Sequence, residues 1–139
     1  MNNKEIINKL TNLIMRDGKK SVASKILRLS LERASQQLDT TKDQVLTKCL
    51  FNIKPLIDAR SKKVGRTSYI IPYAITEEQS IKLALKILVT SARERKERSF
   101  VDKLVNEFID AINNRGGSVK KRNEIHKLAE ANKSFAFFR

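Results

Sequence analysis

The chain has 139 residues, 40% of them hydrophobic, which fits one compact domain with a hydrophobic core and argues against wholesale disorder. Lysine and arginine number 29 against 15 aspartate and glutamate residues, so the formal net charge is +14. A surface this basic is expected to bind a polyanion that neutralises it. Nucleic acid is favoured as this partner over an anionic membrane surface or an acidic protein. The single cysteine excludes an internal disulfide, one histidine with one cysteine gives no zinc-ligand spacing, and no apolar run is long enough to span a membrane.

The first part of the chain has the spacing of hydrophobic residues that is typical of helices. A first helix is predicted to end before Gly18, and a second to run from about residue 22 to 38. A third is predicted to open with a capping box of Thr41 and Gln44 and to end at Pro55. The predicted apolar faces are Ile6, Ile7, Leu10, Leu13 and Ile14; Val22, Ala23, Ile26, Leu27, Leu31, Ala34 and Leu38; and Val45, Leu46, Cys49, Leu50 and Ile53.

Residues 56–74 break the helical pattern. Two short runs of strand type flank a basic segment that contains Gly65, which can adopt the positive φ that a turn needs. The pattern predicts an inserted β-hairpin arm over about residues 56–74, with Pro72 closing its second strand. An isolated hairpin is marginal in water, so the arm is expected to lean on the helices or on a partner.

The rest of the chain is again helical in pattern. Thr76 and Gln79 form a second predicted capping box before a long helix, and Ser99 is the predicted N-cap of the next one. The pair Gly116-Gly117 should break that helix, and a last helix should run over about residues 118–132. Its predicted inward side chains are Ile125, Leu128 and Ala129, and the tail phenylalanines Phe135, Phe137 and Phe138 are interpreted as packing anchors. The predicted fold is mainly α: a single domain over residues 1–139, with about six helices and the inserted basic hairpin arm.

Basic residues cluster in four places. The clusters lie at the corner between the first two helices, at the hairpin tip, at the C-terminal end of the long helix and around the start of the last helix. In that order they contain Arg16, Lys19 and Lys20; Arg60, Lys62, Lys63 and Arg66; Arg93, Arg95, Lys96 and Arg98; and Arg115, Lys120, Lys121, Arg122 and Lys127.

The four clusters differ in how strongly they indicate nucleic-acid contact. The hairpin tip is the strongest, because four unpaired cations have little structural purpose on a short arm and an edge-protecting lysine would explain only one. The last-helix cluster stands in a first turn, where positive charge is unfavourable and a bound phosphate is favoured. For the long-helix cluster, ordinary helix electrostatics is an equal alternative, since Glu94 and Glu97 are interleaved with it. Tyr69 and Tyr73 flank the arm and could stack on bases, although packing is the favoured interpretation.

The sequence lacks the signatures of an enzyme, and no cofactor or metal is predicted. Residues 18–21 are too short for a phosphate-binding glycine loop, and His126 has no visible nucleophile or acid partner. His126 is interpreted as a helix-surface histidine near RNA or a protein partner. A helical DNA-binding regulator is the main alternative hypothesis, but no helix-turn-helix with a polar recognition face is visible. An enzyme acting on RNA is a third, unsupported by any constellation.

Three stretches, in order and with matching spacing over essentially the whole chain, resemble motifs of the bacterial-type family of small-subunit ribosomal protein seven. Residues 15–20, Met-Arg-Asp-Gly-Lys-Lys, resemble the family's helix corner, and residues 54–65 with Tyr69 and Pro72 resemble its basic hairpin. Residues 119–122, Val-Lys-Lys-Arg, with His126 and then residues 129–136, resemble its C-terminal signature.

The resemblance implies a helical domain with a β-hairpin arm that binds the 3′ major domain of small-subunit rRNA and helps nucleate assembly of the subunit head. The arm is expected near the mRNA exit path and the exit-site tRNA, with small-subunit ribosomal proteins eleven, nine and thirteen as neighbours and no membrane contact. By position, rRNA contact is expected for Lys19, Lys20, Arg60, Lys62, Lys63, Arg66, Arg93, Arg95, Lys120, Lys121, Arg122, His126 and Arg139, with His126 the weakest of them. The arm residues expected near tRNA and mRNA are Lys62, Lys63, Val64, Gly65 and Arg66.

The sequence also departs from the family pattern. The family's basic N-terminal extension is nearly absent, no longer C-terminal tail follows Arg139, and Arg66 stands where a second glycine is usual after Gly65. An aromatic residue common in the long helix is missing. Together with abundant Ile, Asn and Lys, as AT-rich coding gives, the shortened form favours an organelle-encoded protein of the mitochondrial matrix ribosome. A plastid or the bacterial cytoplasm is the alternative.

Overall fold

The computed structural model describes the backbone of residues 2–138 and the side chains of residues 2–135. Within this part of the chain there are six α-helices, one two-stranded antiparallel sheet and a final 3-10 helix. In chain order they are α1 (Asn3–Ile14), α2 (Lys20–Leu38), α3 (Lys42–Ile53), β1 (Ile57–Val64), β2 (Thr67–Ala74), α4 (Glu77–Arg93), α5 (Phe100–Ile112), α6 (Gly117–Ala131) and the 3-10 helix (Lys133–Phe138). The predicted class, mainly helical with an inserted hairpin, is confirmed.

Polar side chains fix the starts of most helices, because each accepts a hydrogen bond from an amide that has no partner within the helix. Asn2 caps α1, Thr41 accepts from the amide of Gln44 at the start of α3, and Ser99 caps α5. The reciprocal capping box predicted before α4 is present: Thr76 and Gln79 exchange hydrogen bonds of 3.2 and 3.3 Å. The starts of α3, α4 and α5 were therefore predicted to within a residue or two. At α3, however, only the hydrogen bond from the Gln44 amide to Thr41 is present, without the reciprocal one of the predicted capping box.

The helices share one hydrophobic core. α5 lies at its centre, packed against α2, α3, α4 and α6, and its Leu104 and Phe108 are fully buried. Cys49 of α3 is also fully buried, as predicted. Burial raises the pKa of the Cys49 thiol, and the negative charge of Glu107 raises it further, so the thiol stays protonated and unreactive.

Three side chains assigned to apolar helix faces are instead exposed, and that part of the prediction is wrong. Val22 is 52% exposed, Leu128 40% and Ile7 36%. These residues lie at the solvent edge of their apolar stripes, because a stripe about 100° wide brings its marginal positions to the protein surface. The exposure of Val22 leaves an apolar side chain facing solvent at the first turn of α2.

The hairpin arm pairs over its full length, from Ile57 opposite Ala74 to Val64 opposite Thr67. Gly65 and Arg66 form its two-residue turn, with φ +65° at Gly65 and a negative φ at Arg66. This is the pattern of a type II′ turn, which needs glycine only at its first central position, so the missing second glycine is tolerated. Pro72 does not close β2 as predicted, since the strand continues to Ala74. Both strands of a two-stranded sheet are edges, so a proline that cannot donate is accommodated there.

The base of the arm leans on the C-terminal part of the fold, as expected for a hairpin that would be marginal alone. Both strands contact α6, and β2 contacts the 3-10 helix, where the rings of Tyr69 and Phe135 lie 4.9 Å apart. Ile71 of β2 is fully buried. The tip, by contrast, projects from these contacts with Lys62, Lys63, Gly65 and Arg66 exposed. The predicted anchor role of the tail is met by Phe135, while Phe137 and Phe138 lie outside the described side chains.

Candidate nucleic-acid interface

The hairpin tip is basic and exposed, but its cations are not all without partners. The Nε atom of Arg60 donates to Asp58 at 3.1 Å, and the Arg60 guanidinium lies 5.3 Å from the centre of the Tyr73 ring. The prediction of four unpaired cations is therefore wrong for Arg60, because Asp58, two positions earlier on β1, supplies a carboxylate, and Lys62 is not without a partner either. Lys63 and Arg66 have no side-chain partner among the described residues, and they lie at the end of the arm.

The ring contacts support the packing interpretation of the two tyrosines. Tyr69 faces Phe135, and Tyr73 lies beneath Arg60. Each ring thus packs against a side chain of the same chain and stabilises the arm. An aromatic pair such as Tyr69 and Phe135 contributes about 0.5–1.5 kcal/mol beyond the area it buries. These contacts hold the lower part of the hairpin arm in place, and the tip beyond them faces solvent.

The fold brings the first and third basic clusters together. Asp17 and Gly18, both with positive φ, turn the chain sharply between α1 and α2 and leave Lys19 and Lys20 exposed. Arg93, at the C-terminal end of α4, donates to the carbonyl oxygen of Leu13 at 2.9 Å. Burial lowers the pKa of Arg93, and the nearby charge of Arg16 lowers it further.

The fold thus brings Arg16, Lys19 and Arg93 close together. With Lys20, the next residue after Lys19, they form one basic surface, here called the corner surface. Lys20 also donates to Asn8 at 3.2 Å, which holds its ammonium group near α1. Positive charges placed side by side repel one another, so an anion bound here would be stabilised.

The side chain of Arg95, in contrast, points inward and stabilises the fold. Its Nη1 atom donates to Glu107 and to Asp110, each at 2.9 Å, and its Nε atom donates to Glu97 at 3.1 Å. Burial alone would lower the pKa of Arg95, but the hydrogen bonds to these carboxylates outweigh it and raise the pKa. The guanidinium is therefore committed to internal partners and is a poor candidate for phosphate contact.

The start of α6 has its own internal counter-charge. Glu107 of α5 is fully buried, and its Oε1 atom accepts from the backbone amide of Ser118 at 2.9 Å and from the Ser118 hydroxyl at 2.6 Å. A carboxylate at a helix N-terminus accepts hydrogen bonds from the free amides and interacts favourably with the helix dipole. The positive charge of this turn therefore favours a bound phosphate less strongly than predicted, because Glu107 already supplies negative charge.

The cations of α6 divide into inward and outward groups. Arg122 donates to the carbonyl oxygen of Asn52 and to the side chain of Asn123, and Lys121 pairs with Glu94 at 2.9 Å. Lys120 and Lys127 are exposed and have no side-chain partner among the described residues. The outward lysines remain candidates for phosphate contact, while Arg122 ties α6 to the end of α3.

His126 has a structural partner. Its Nε2 atom accepts a hydrogen bond of 3.0 Å from the amide of Leu56, just before β1. Burial lowers the pKa of His126, and the charge of Arg122 lowers it further, so the neutral acceptor form is favoured. The histidine thus helps fix the base of the arm. Arg139, the last expected contact residue, lies outside the described residues.

Sequence reasoning overlooked a row of lysines beside α4. Lys82 and Lys86 project from successive turns of α4, and together with Lys9 of α1 they line the groove between these helices. Their four-residue spacing was a visible signal, since residues at i and i+4 share a helix face. Among the described residues, no group of histidine, cysteine or acidic side chains has the arrangement of a metal site, and no helix is long and apolar enough to cross a bilayer.

Comparison with known proteins shows to which family the chain belongs. A model of the family "Ribosomal protein S7p/S5e" matches residues 1–133. The chain belongs to this family. Members of the family are structural ribosomal proteins and not enzymes.

Named relatives also match nearly the whole chain. The small ribosomal subunit protein uS7 of Geotalea uraniireducens is 45% identical over 134 residues, which are 96% of this chain and 86% of the relative. That of Geobacter sulfurreducens is 43% identical over 137 residues, 99% of this chain and 88% of the relative. The small ribosomal subunit protein uS7c of Tupiella akineta is 40% identical over 134 residues, 96% of this chain and 86% of the relative.

Proposed function

We propose that this protein is a structural constituent of the small ribosomal subunit and that it binds small-subunit rRNA in translation. The observation that carries the proposal is the identity of 45% to a protein named small ribosomal subunit protein uS7, over 96% of the chain. The net charge of +14 and the exposed cations of the arm and the corner surface supply the attraction that an rRNA partner requires. Phosphate contacts of this kind give affinity and orientation rather than sequence reading.

Among the residues that the sequence predicted to contact rRNA, we propose contact for those whose charged groups are presented outward. They are Lys19, Lys20 and Arg93 at the corner surface, Lys62, Lys63 and Arg66 at the tip, and Lys120 at the start of α6. Arg60, Lys121, Arg122 and His126 are proposed to act mainly by holding the arm and α6 in place, and Arg95 by stabilising the fold. Contact by Arg139 stays a prediction from the resemblance.

The finer placement follows from the resemblance to the family. We propose that the chain, acting as a single domain over residues 1–139, binds the 3′ major domain of the rRNA and helps nucleate head assembly. The arm residues 62–66 would then lie near the mRNA exit path and the exit-site tRNA. Small-subunit ribosomal proteins eleven, nine and thirteen are the proposed neighbours.

For the compartment, we propose a ribosome of bacterial type. The relatives described above come from bacteria, together with one plastid-type uS7c. The mitochondrial matrix expected from composition is one possible site of such a ribosome, and a plastid or the bacterial cytoplasm is supported by the relatives. Fractionation of the source cells, with detection of this chain in organellar and cytoplasmic ribosomes, tests the point.

Co-sedimentation tests the proposal as a whole. Small subunits purified at low salt are expected to carry this chain in proportion to their rRNA. A high-salt wash should release part of it, because contacts with phosphates weaken steeply as salt rises. Absence of the chain from washed and unwashed subunits alike would overturn the proposal.

A further inference from the structure

A pocket of about 340 Å³ opens beside the corner surface, between the end of α1, the start of α2, the end of α4 and the start of α5. Its volume lies within the range of about 300–1,000 Å³ typical of sites for small ligands. Apolar side chains form much of its wall, among them Ile14, Val22, Ile26 and Phe100. Val22 is 52% exposed, although the helical pattern placed it on the apolar face of α2.

Four cations stand around this apolar wall: Arg16, Lys19, Arg93 and Lys103. No carboxylate is among the residues that line the pocket. At two of the other basic clusters, by contrast, a carboxylate pairs with a cation: Asp58 with Arg60, and Glu94 with Lys121. Arg93 is also held in position by its hydrogen bond to Leu13, so its guanidinium is oriented before any ligand arrives.

We propose that this pocket receives one unpaired nucleotide of the bound RNA, with the base against the apolar wall and its phosphates among the four cations. The inference rests on the proposed function, since it assumes that RNA is the partner. An unpaired base has an exposed π face that stacks on aromatic rings and guanidinium groups, and Phe100, Arg16 and Arg93 provide both kinds of surface.

An unpaired nucleotide fits better than a duplex or an acidic peptide. In a duplex the bases are stacked inside the helix, so only phosphates could reach the pocket and its apolar wall would stay unused. A peptide carboxylate is a single charge on a flexible side chain. A nucleotide joins a flat apolar group to phosphates on both sides, which matches an apolar wall bordered by cations on opposing elements.

Val22→Glu tests the proposal most sharply. Val22 is exposed and lies in the first turn of α2, where a carboxylate is favourable to the helix, so the variant should fold. The introduced charge would repel a nucleotide from the pocket. The probe is a single-stranded oligoadenylate in which one base is 2-aminopurine, and binding to the full chain is followed by the fluorescence of that base. We expect a fluorescence change with the unmodified protein and about tenfold weaker binding by Val22→Glu.

Phe51→Glu is the matched control. Phe51 is 72% exposed on α3 and is not a pocket residue, so this variant loses an exposed apolar side chain and gains the same charge at another place. It should bind the oligonucleotide within about twofold of the unmodified protein. Circular dichroism melts of both variants check the fold. If Val22→Glu does not fold, Arg16→Gln replaces it, and its binding should show a salt dependence shallower by about 0.7 in log–log slope.

Several results would overturn the inference. Equal binding by Val22→Glu and Phe51→Glu would do so, as would equal affinity for the same sequence in a duplex. Binding of a peptide of alternating glutamate and leucine that Val22→Glu abolishes, without oligonucleotide binding, would assign the pocket to a protein partner. Co-sedimentation separates this failure from that of the proposed function. If unmodified protein and Val22→Glu both bind small subunits equally, only the pocket is wrong.

Discussion

At the residue scale, the buried carboxylate of Glu107 joins three parts of the fold. It accepts hydrogen bonds from Ser118 at the start of α6 and from Arg95 beyond the end of α4. We expect Glu107→Ala to lower the free energy of unfolding by roughly 3 kcal/mol, because the change leaves a partly buried guanidinium with less compensation and uncaps α6. Urea denaturation followed by circular dichroism measures the effect.

Glu124→Ala provides the control for that prediction. Glu124 is an exposed glutamate of α6 with no partner among the described residues, so its removal should change the stability by less than about 0.5 kcal/mol. Equal effects of the two substitutions would show that the buried network does not stabilise the fold.

A second prediction at this scale concerns pH. Burial and Arg122 lower the pKa of His126 in the folded state below its unfolded value, so protonation of His126 opposes folding. The stability that the neutral form contributes is fully present above the unfolded pKa and is lost as the pH falls through the folded pKa. Between about pH 7.5 and pH 5.5, the urea midpoint of the unmodified protein should fall more than that of His126→Gln. Parallel pH profiles would contradict the assigned role.

Single residues also mark what the sequence could and could not reveal. Cys49 was correctly predicted to be buried, because its neighbours on α3 repeat with helical spacing. Arg95 was not separable from Lys96 and Arg98 in a run of cations, since two of its three partners, Glu107 and Asp110, are more than ten positions away and only packing brings them near. One signal was available: Glu107 lies on the same face as Leu104 and Ala111, where an acidic residue needs a buried partner.

At the element scale, the hairpin arm divides into an anchored base and an exposed tip. Replacing Lys62, Lys63 and Arg66 together by alanine should leave the thermal midpoint unchanged, because these side chains are exposed. The variant should bind rRNA more weakly and with a shallower salt dependence, since fewer phosphates are neutralised. A differential scanning melt and a filter-binding titration make the two measurements.

A triple variant elsewhere controls for the change in net charge. Replacing Lys25, Arg28 and Lys48 by alanine lowers the net charge by the same amount, from 14 to 14 − 3 = +11. These exposed residues lie on α2 and α3, away from the arm. A loss of rRNA binding as large as that of the tip variant would mean that total charge, and not the arm, determines affinity. A loss of several degrees in the melt of the tip variant would mean that its cations pack.

The elements were largely predictable, because their signals are local. Capping residues Thr76 and Ser99 and the helix-ending Pro55 act within a few positions of themselves, and Gly65 determines its own turn. The continuation of β2 past Pro72 was not predictable in the same way, since it depends on the absence of a third strand. The joining of Arg93 to the corner surface depends on how α4 packs against α1, which no short pattern in either helix specifies.

At the scale of the whole molecule, the charge of +14 makes the free protein repel itself and favours any polyanion that neutralises it. The structure distributes this charge unevenly. Internal partners occupy Arg95 and Arg122, whereas the corner surface, the arm tip and the α1–α4 groove present cations to solvent. We therefore propose that these outward groups supply the affinity for rRNA, and that its shape and unpaired bases supply the specificity.

The most direct test of this account is the binding of the full chain to a fragment of the 3′ major domain of small-subunit rRNA, measured over a range of salt concentrations. Duplex DNA of equal length serves as the comparison. We predict tighter binding to the rRNA fragment, with a log–log slope against salt of roughly −4 or steeper, as several phosphate contacts require. Binding that is insensitive to salt, or equal affinity for the DNA, would contradict it.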